Sequence, residues 1–350
     1  MIHIQKFYIF RALFKLSFIF CLTYLSILPI KAVGNELNIY SHRQPFLINP
    51  FLEAFTEKTG IKTNVVYSTK GLAQRLKAEG ENSPADVILT VDIGRLQVYA
   101  DLKLLAKIDS KKLTKNIPPH LRSLDQTWVG LSKRSRIIVV SKNRVKASSI
   151  SRIEDLANPS WKKKICSRPG SHVYNRALMA SMIAAHGIKE ATKWAEGLVD
   201  NLARRPQGND RAQVKAIYEG QCDIAIINNY YYGKLKFSDN PKQREWADEL
   251  TLIFPNQGVG DRGAHINISG GGVAKYSKNK INAIRLLEFL SEEDSQKLYG
   301  TINFEYPVNP SVMPTQILQN WGTFREDKLP IQRIAEFSQD AQKIIDKVGW

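Results

Sequence analysis

Cysteine is scarce. The 350 residues hold three, of which Cys21 lies in an N-terminal apolar block and only Cys166 and Cys222 lie beyond it. Each of these two opens an apolar stretch, Ile165-Cys166 and Cys222-Asp223-Ile224. In an oxidising compartment such a pair can bond, and otherwise the two are buried thiols; the sequence is compatible with both. The signatures of catalysis are also missing. There is no nucleophile elbow, no metalloprotease helix motif and no phosphate loop, since Ser269-Gly270-Gly271-Gly272 lacks the lysine and the spacing that a phosphate cradle needs. Asp86 and Asp92 read as a strand residue and a helix cap. An enzyme is therefore not expected. No internal repeat, low-complexity tract or long linker interrupts the chain, and 43% hydrophobic with 24% charged residues excludes a disordered polymer.

Acidic charge is in deficit. Fifty Lys and Arg face 33 Asp and Glu, a net +17, which nucleic-acid and anionic-membrane binders share. The bases, however, are interspersed with acids along helices, and Lys162-Lys163-Lys164 is the only basic triplet. Solvated faces are expected, and no nucleic-acid partner. At the N-terminus Lys6, Arg11 and Lys15 precede an apolar block, Phe18 to Leu28, followed by Pro29, Ala32 and polar sequence from Asn35. Positive, apolar, then small is the order of a secretory signal peptide, expected over residues 1–32 with cleavage near Ala32 or Gly34. The block falls short of the roughly 20 residues of a membrane span. Losing residues 1–32 removes four bases and no acid, leaving +13.

Strand and helix signals alternate along the rest. Leu37–Ser41, Thr63–Tyr67 and Asp86–Thr90 read as strands, separated by helices over 50–58 and 70–79 that stop at Gly60 and Gly80. Asp92 suits the cap of a further helix. This spacing predicts βαβ units and an α/β fold of mostly parallel sheets flanked by helices. Arg136–Ser141 reads as a crossing into a second lobe, which holds a strand at Ile165-Cys166, helices over 174–185, 189–202 and 211–219, and the strand Leu250–Phe254. Ile266–Ala274 reads as the return crossing, 281–290 as a helix, Tyr306–Pro310 as extended, and helices near Ile317 and over 331–348 close the chain. The expected lobes are residues 35–133 with 262–308, and 134–261 with 309–350. Short crossovers between two lobes make a hinge with a ligand cleft.

Asp223-Ile224-Ala225-Ile226-Ile227 is an uninterrupted apolar run, the pattern of a fully buried strand. It ends in Asn228-Asn229-Tyr230-Tyr231-Tyr232-Gly233. In open α/β sheets ligands bind at the carboxyl ends of strands. Where the chain turns from strand to helix, two adjacent phenols can face one cleft. Four more pieces accompany this one: Ile39-Tyr40-Ser41-His42-Arg43, Asn82-Ser83-Pro84-Ala85-Asp86-Val87, Trp128-Val129-Gly130-Leu131-Ser132-Lys133-Arg134 and Ser171-His172-Val173-Tyr174-Asn175. Together and in this order they resemble the ferric-iron-binding periplasmic proteins of ABC transporters, of the cyanobacterial FutA/IdiA iron-uptake type, from about Leu37 to the C-terminus.

The resemblance implies a two-lobed periplasmic binding protein of type II that carries Fe(III) to an inner-membrane permease, as a monomer. It implies Tyr230 and Tyr231 as paired tyrosine ligands, Tyr174 as a third from the same lobe, and Arg134 as a supporting arginine at the cleft. The chemistry agrees: Fe(III) is a hard cation that prefers oxygen donors, and three phenolates would neutralise it. A free phenol, with a pKa of about 10, ionises at neutral pH only when a metal displaces its proton. The first lobe departs from the type. FutA-type relatives follow the serine-arginine pair with histidine and tyrosine, where this chain has Gln44 and Pro45. Water, Gln44, His42, or a carbonate held by Arg43 or Arg134 are the candidates to complete the shell. The alternative within the same fold is a polyamine, thiamine or sugar stacked on the tyrosines, with Trp128 or Trp161 joining in.

Overall fold

The computed structural model describes residues 36–350; the expected signal peptide lies outside them. Among the described residues no helix is long and apolar enough to cross a membrane. The chain opens with β1 (Glu36–Ser41), α1 (Pro45–Thr59), β2 (Lys62–Tyr67), α2 (Leu72–Glu79) and β3 (Val87–Thr90). β1 lies between β2 and β3 and runs parallel to both. α1 is longer than its sequence suggests, because Pro45 rather than Pro50 takes the first turn, where a missing N–H costs nothing. Next come α3 (Ile93–Asp101), β4 (Leu105–Ala106) and α4 (Lys111–Asn116). Asp92 caps α3 as expected, its carboxylate accepting from Gly94 N and Arg95 N.

The crossing is one continuous strand, β5 (Trp128–Ser141), beginning eight residues before the expected Arg136–Ser141. β6 (Ile165–Cys166), α5 (Val173–Asp200), α6 (Asp210–Tyr218), β7 (Ile224–Asn228), α7 (Asn229–Lys236), α8 (Pro241–Asp248) and β8 (Leu250–Ile253) form the second half, and β9 (Ile266–Ala274) returns. α5 comprises the two expected helices, broken at Gly187 (φ 76°). α9 (Lys280–Ser291), α10 (Glu293–Ile302), α11 (Gln316–Gln319), α12 (Ile331–Glu336) and α13 (Ser338–Val348) complete the chain. Strand order is β2-β1-β3-β9-β5-β7-β6, with β4 on β9 and β8 on β5. Parallel pairing holds for β2-β1-β3 and for β6-β7. The crossing strands pair antiparallel with their neighbours, so the sheet is mixed.

The triple glycine of β9 has a packing role. A Cβ on Gly270, Gly271 or Gly272 would meet the carbonyl oxygen of Val129, Ile88 or Thr127 within 2.7, 2.9 and 2.8 Å respectively; only glycine lets the strands approach this closely. β5 pairs with β9 as far as Ser135↔Ile266, then with β7 from Arg136↔Asn228. Lys133 also pairs with Tyr306, so three segments meet at the crossing. Cys166 and Cys222 are disulfide-bonded, tying β6 to the turn before β7 across 56 residues.

β7 is buried at every position, which is why its apolar run shows no alternation. Its last residue, Asn228, precedes the first turn of α7, and the adjacent Asn229 anchors that turn. Asn229 Oδ1 accepts from Ser135 N at 2.9 Å, and its Nδ2 donates to Phe304 O at 2.8 Å. Gly233 then lets α7 pack on an aromatic wall. A Cβ there would lie 2.5 Å from both Phe304 and Trp321. In a free helix Gly→Ala stabilises by about 1 kcal/mol. Here we expect overpacking to win, with Gly233→Ala costing about 1–3 kcal/mol in urea unfolding; an unchanged or raised midpoint would show that the rings yield.

Candidate metal centre

A cleft of about 610 Å³ opens where the crossing strands meet the two halves of the sheet, and His42, Arg43, Gln44, Arg134, Tyr174, Tyr230 and Tyr231 all line it. Every residue that the resemblance pointed to as a ligand or support is thus on one wall or another of the same cleft. Trp128 and Trp161 are not among the lining residues, and Trp128 is fully buried in the core. Among the described residues no group of three or more His, Cys, Asp or Glu is placed to hold a metal ion. The concentrated donors here are phenols.

Successive residues of a helix are rotated by about 100°. Tyr230 and Tyr231 consequently share the cleft face, ring centroids 4.6 Å apart, while Tyr232 turns away and packs edge-on against Trp321. Asn228 Nδ2 donates to the Tyr230 hydroxyl at 3.1 Å. Burial and the neighbouring phenols of Tyr174 and Tyr231 raise Tyr230 well above the ordinary phenol value. Burial, then Tyr174 and Asp210, push Tyr231 up to about 12, against the opposing pull of Arg168. Both are neutral phenols in the empty protein.

Tyr174 stands in the first turn of α5. His172, not Tyr174, caps that helix, its Nδ1 accepting from Tyr174 N at 3.3 Å; burial and Arg168 drive the His172 pKa down to about 3, so the ring is a neutral acceptor. The Tyr174 side chain is left for the cleft, where three guanidinium groups surround its ring: Arg168 at 5.1 Å, Arg134 at 5.7 Å and Arg136 at 6.0 Å. Asp210 neutralises two of them, accepting from Arg136 at 2.7 Å and Arg168 at 2.9 Å. Arg134 donates to Val91 O and to Ser269 Oγ at 3.5 Å and lies 3.7 Å from Asp92; its Nε, like that of Arg43, has no partner among the described residues.

His42 stands on the opposite wall. It is 8% exposed, and both its ring nitrogens are taken. Nδ1 donates to Ser68 O at 2.8 Å and Nε2 accepts from the Tyr99 hydroxyl at 2.9 Å. Burial and the Arg95 charge lower its pKa to about 4. His42→Ala should therefore cost about 1–3 kcal/mol of stability, because it strands the buried Tyr99 hydroxyl and the partly buried Ser68 carbonyl. Metal affinity should fall less than tenfold; abolished binding in a titration would put His42 on the metal. Arg43 is likewise committed, to Glu305 Oε2 and Ser269 Oγ at 2.7 Å each. Gln44 is exposed at the rim, and its side chain caps nothing.

Sequence reasoning missed Lys234, Arg95, Arg211 and Glu305, which also line the cleft. Lys234 alone left a trace, standing one helical turn beyond Tyr230. Its Nζ lies 5.8 Å from the Tyr230 ring and 5.6 Å from that of Phe46 on the facing wall. Burial lowers its pKa to about 8, with Arg43 and Arg211 adding to the fall and Glu305 opposing it.

Comparison with known proteins agrees with this architecture. The profile of the bacterial extracellular solute-binding protein family matches residues 51–326. Iron uptake protein A2 of Synechocystis sp. is 40% identical over 319 residues, 91% of each chain. A crystal structure of Mannheimia haemolytica ferric iron-binding protein A in an open conformation superposes with a TM-score of 0.85 at 48% identity, covering 90% of this chain and 98% of that one. The Trichodesmium IdiA (FutA) protein in complex with iron and citrate gives 0.86 at 44% identity, covering 90% and 99%. The chain belongs to the bacterial extracellular solute-binding proteins and, within them, to the family of the iron uptake and ferric iron-binding proteins.

Proposed function

We propose that this protein binds Fe(III) in the periplasm through the phenolates of Tyr174, Tyr230 and Tyr231 and hands it to the permease of an ABC transporter. The observation that carries the reading is the set of three phenols from the first turns of two helices of one half, gathered in a cleft rich in guanidinium groups. Phenolate is a hard anionic oxygen suited to Fe(III), and the surrounding cations favour it over the neutral phenol. The relatives with ferric iron in their names, and the one solved with iron and citrate, support the cargo. Export through the N-terminal signal and action as a monomer belong to the same reading.

Residues 35–133 with 262–308 act as one lobe and 134–261 with 309–350 as the other, hinged near Ser135 and Arg136. Loading begins on the tyrosine lobe, and the facing lobe completes the shell on closure. Water or an oxyanion such as carbonate fills positions the phenols leave. Arg134, over the Tyr174 ring at 5.7 Å, is the arginine beside the phenols that would hold it.

The test is a titration of the purified mature protein with ferric salt at neutral pH. Phenolate-to-Fe(III) charge transfer should colour the protein, and about three protons should leave per iron. A protein that stays colourless refutes the reading and favours an organic ligand stacked on the same rings.

A further inference from the structure

Arg43, Arg95, Arg134, Arg211 and Lys234 line the cleft, and Glu305 is the one carboxylate among the lining residues. Glu305 is 6% exposed. Its two hydrogen bonds, from Arg43 Nη2 at 2.7 Å and Ser132 Oγ at 2.6 Å, both fall on Oε2. Oε1 accepts none among the described residues. In a ligand cleft, a carboxylate oxygen left without a protein partner is one that the ligand can satisfy.

The backbone holds Glu305 there under strain. Phe304 adopts φ 56°, the left-handed region that a bulky side chain rarely enters and that clusters at functional sites. Two clamps enforce it: Asn229 Nδ2 on Phe304 O at 2.8 Å, and the pairing of Tyr306 with Lys133. Asn229 also anchors the turn that carries Tyr230 and Tyr231, so one side chain fixes the phenols and the carboxylate relative to each other. The Glu305 charge acts on both Arg43 and Lys234, the latter beside Tyr230.

We propose that Glu305 supplies a fourth anionic oxygen to the bound iron, through Oε1 and from the hinge side, taking the place of the first-lobe ligands that the Gln44-Pro45 sequence lacks. This rests on the phenolate reading above. Three phenolates neutralise Fe(III), and a carboxylate makes the centre an anion. The lining cations, with Arg43 already paired to Glu305, then balance its charge. Carboxylate oxygen is as hard a donor as phenolate.

The test uses ferric nitrilotriacetate as the iron source for the mature protein. Glu305→Gln should lower iron affinity by more than the roughly 10- to 100-fold that losing a partner outside the inner shell costs. It should also move the visible band to longer wavelength, because iron with one fewer anionic donor is a better electron acceptor. Should the single variant fail to fold with Arg43 unpaired, Arg43→Gln with Glu305→Gln removes both members of the buried pair, which proteins tolerate far better, and the same band shift is expected. Weaker binding with an unmoved band, or no change, would make Glu305 only the counter-ion of Arg43 and overturn the inference, while a band lost in Tyr230→Phe would keep the phenolate reading intact. A wild-type protein that never colours overturns both.

Discussion

Replacing Tyr230 or Tyr231 by Phe should strip the protein of most of its iron affinity and its colour, while Tyr232→Phe leaves both intact. Each of the first two changes removes one anionic oxygen and leaves the ring, so packing is spared. The loss should exceed the roughly 10- to 100-fold that removing a partner outside a metal's inner shell costs. Tyr232 differs because its ring lies against Trp321, away from the cleft. The pH dependence has a definite sign. Tyr230 is held well above 10, and Tyr231 at about 12, so both are protonated in the empty protein at neutral pH and iron must expel their protons. Binding therefore weakens as pH falls, and each Phe variant should release about one proton fewer per iron than wild type. Tyr174→Phe should do the same; an unchanged proton count would remove Tyr174 from the metal. A Tyr232→Phe protein that bleaches while Tyr230→Phe stays coloured would sink the assignment of register.

What could be read in advance depended on range. β7 was legible because a strand buried on both faces is a continuous apolar run, and the tyrosines were legible because they follow it directly. Ile266–Ala274 was legible end to end as well, although Asn267, Ser269 and three glycines break its apolar run. β5 was not legible as one strand. Ser132, Arg134, Ser135 and Arg136 interrupt its hydrophobic pattern, yet all four are buried, their polar groups meeting partners at the crossing. A polar stretch buried by tertiary hydrogen bonds looks, locally, like a turn. His42 could be flagged but not interpreted, because its partner Tyr99 lies 57 residues away. Glu305 gave no local signal: its bond to Arg43 spans 262 residues, and a strained Phe304 leaves no mark in composition. The disulfide was left open by sequence for a different reason. Either state suits two cysteines that begin apolar stretches, and only the parallel register of β6 on β7 brings them together.

The second large effect is expected at a residue that never touches the cargo. Asp210 is fully buried at the first position of α6, where the helix dipole favours a negative charge. Its Oδ1 accepts from Arg168 at 2.9 Å; its Oδ2 accepts from Arg136 at 2.7 Å and from Asn228 N at 2.9 Å. Asp210→Asn keeps the shape and removes the charge, so two buried guanidinium groups lose their counter-ion and one of them meets an amide N–H₂. Breaking a buried ion pair from one side costs about 3–5 kcal/mol, a large part of the roughly 5–15 kcal/mol by which a folded domain is stable. The damage should reach the metal centre as well. Arg136 and Arg168 flank the Tyr174 ring, and Asn228, which donates to the Tyr230 hydroxyl, has its backbone N–H held by the same carboxylate. Urea unfolding of Asp210→Asn beside the exposed control Asp239→Asn reads the stability term, since an exposed substitution moves stability by only about 0.5 kcal/mol or less. The ferric titration reads the other. Coincident midpoints for the two variants, with full colour in both, would mean that Arg136 and Arg168 find their counter-charge elsewhere and that Asp210 organises neither the half nor the phenols.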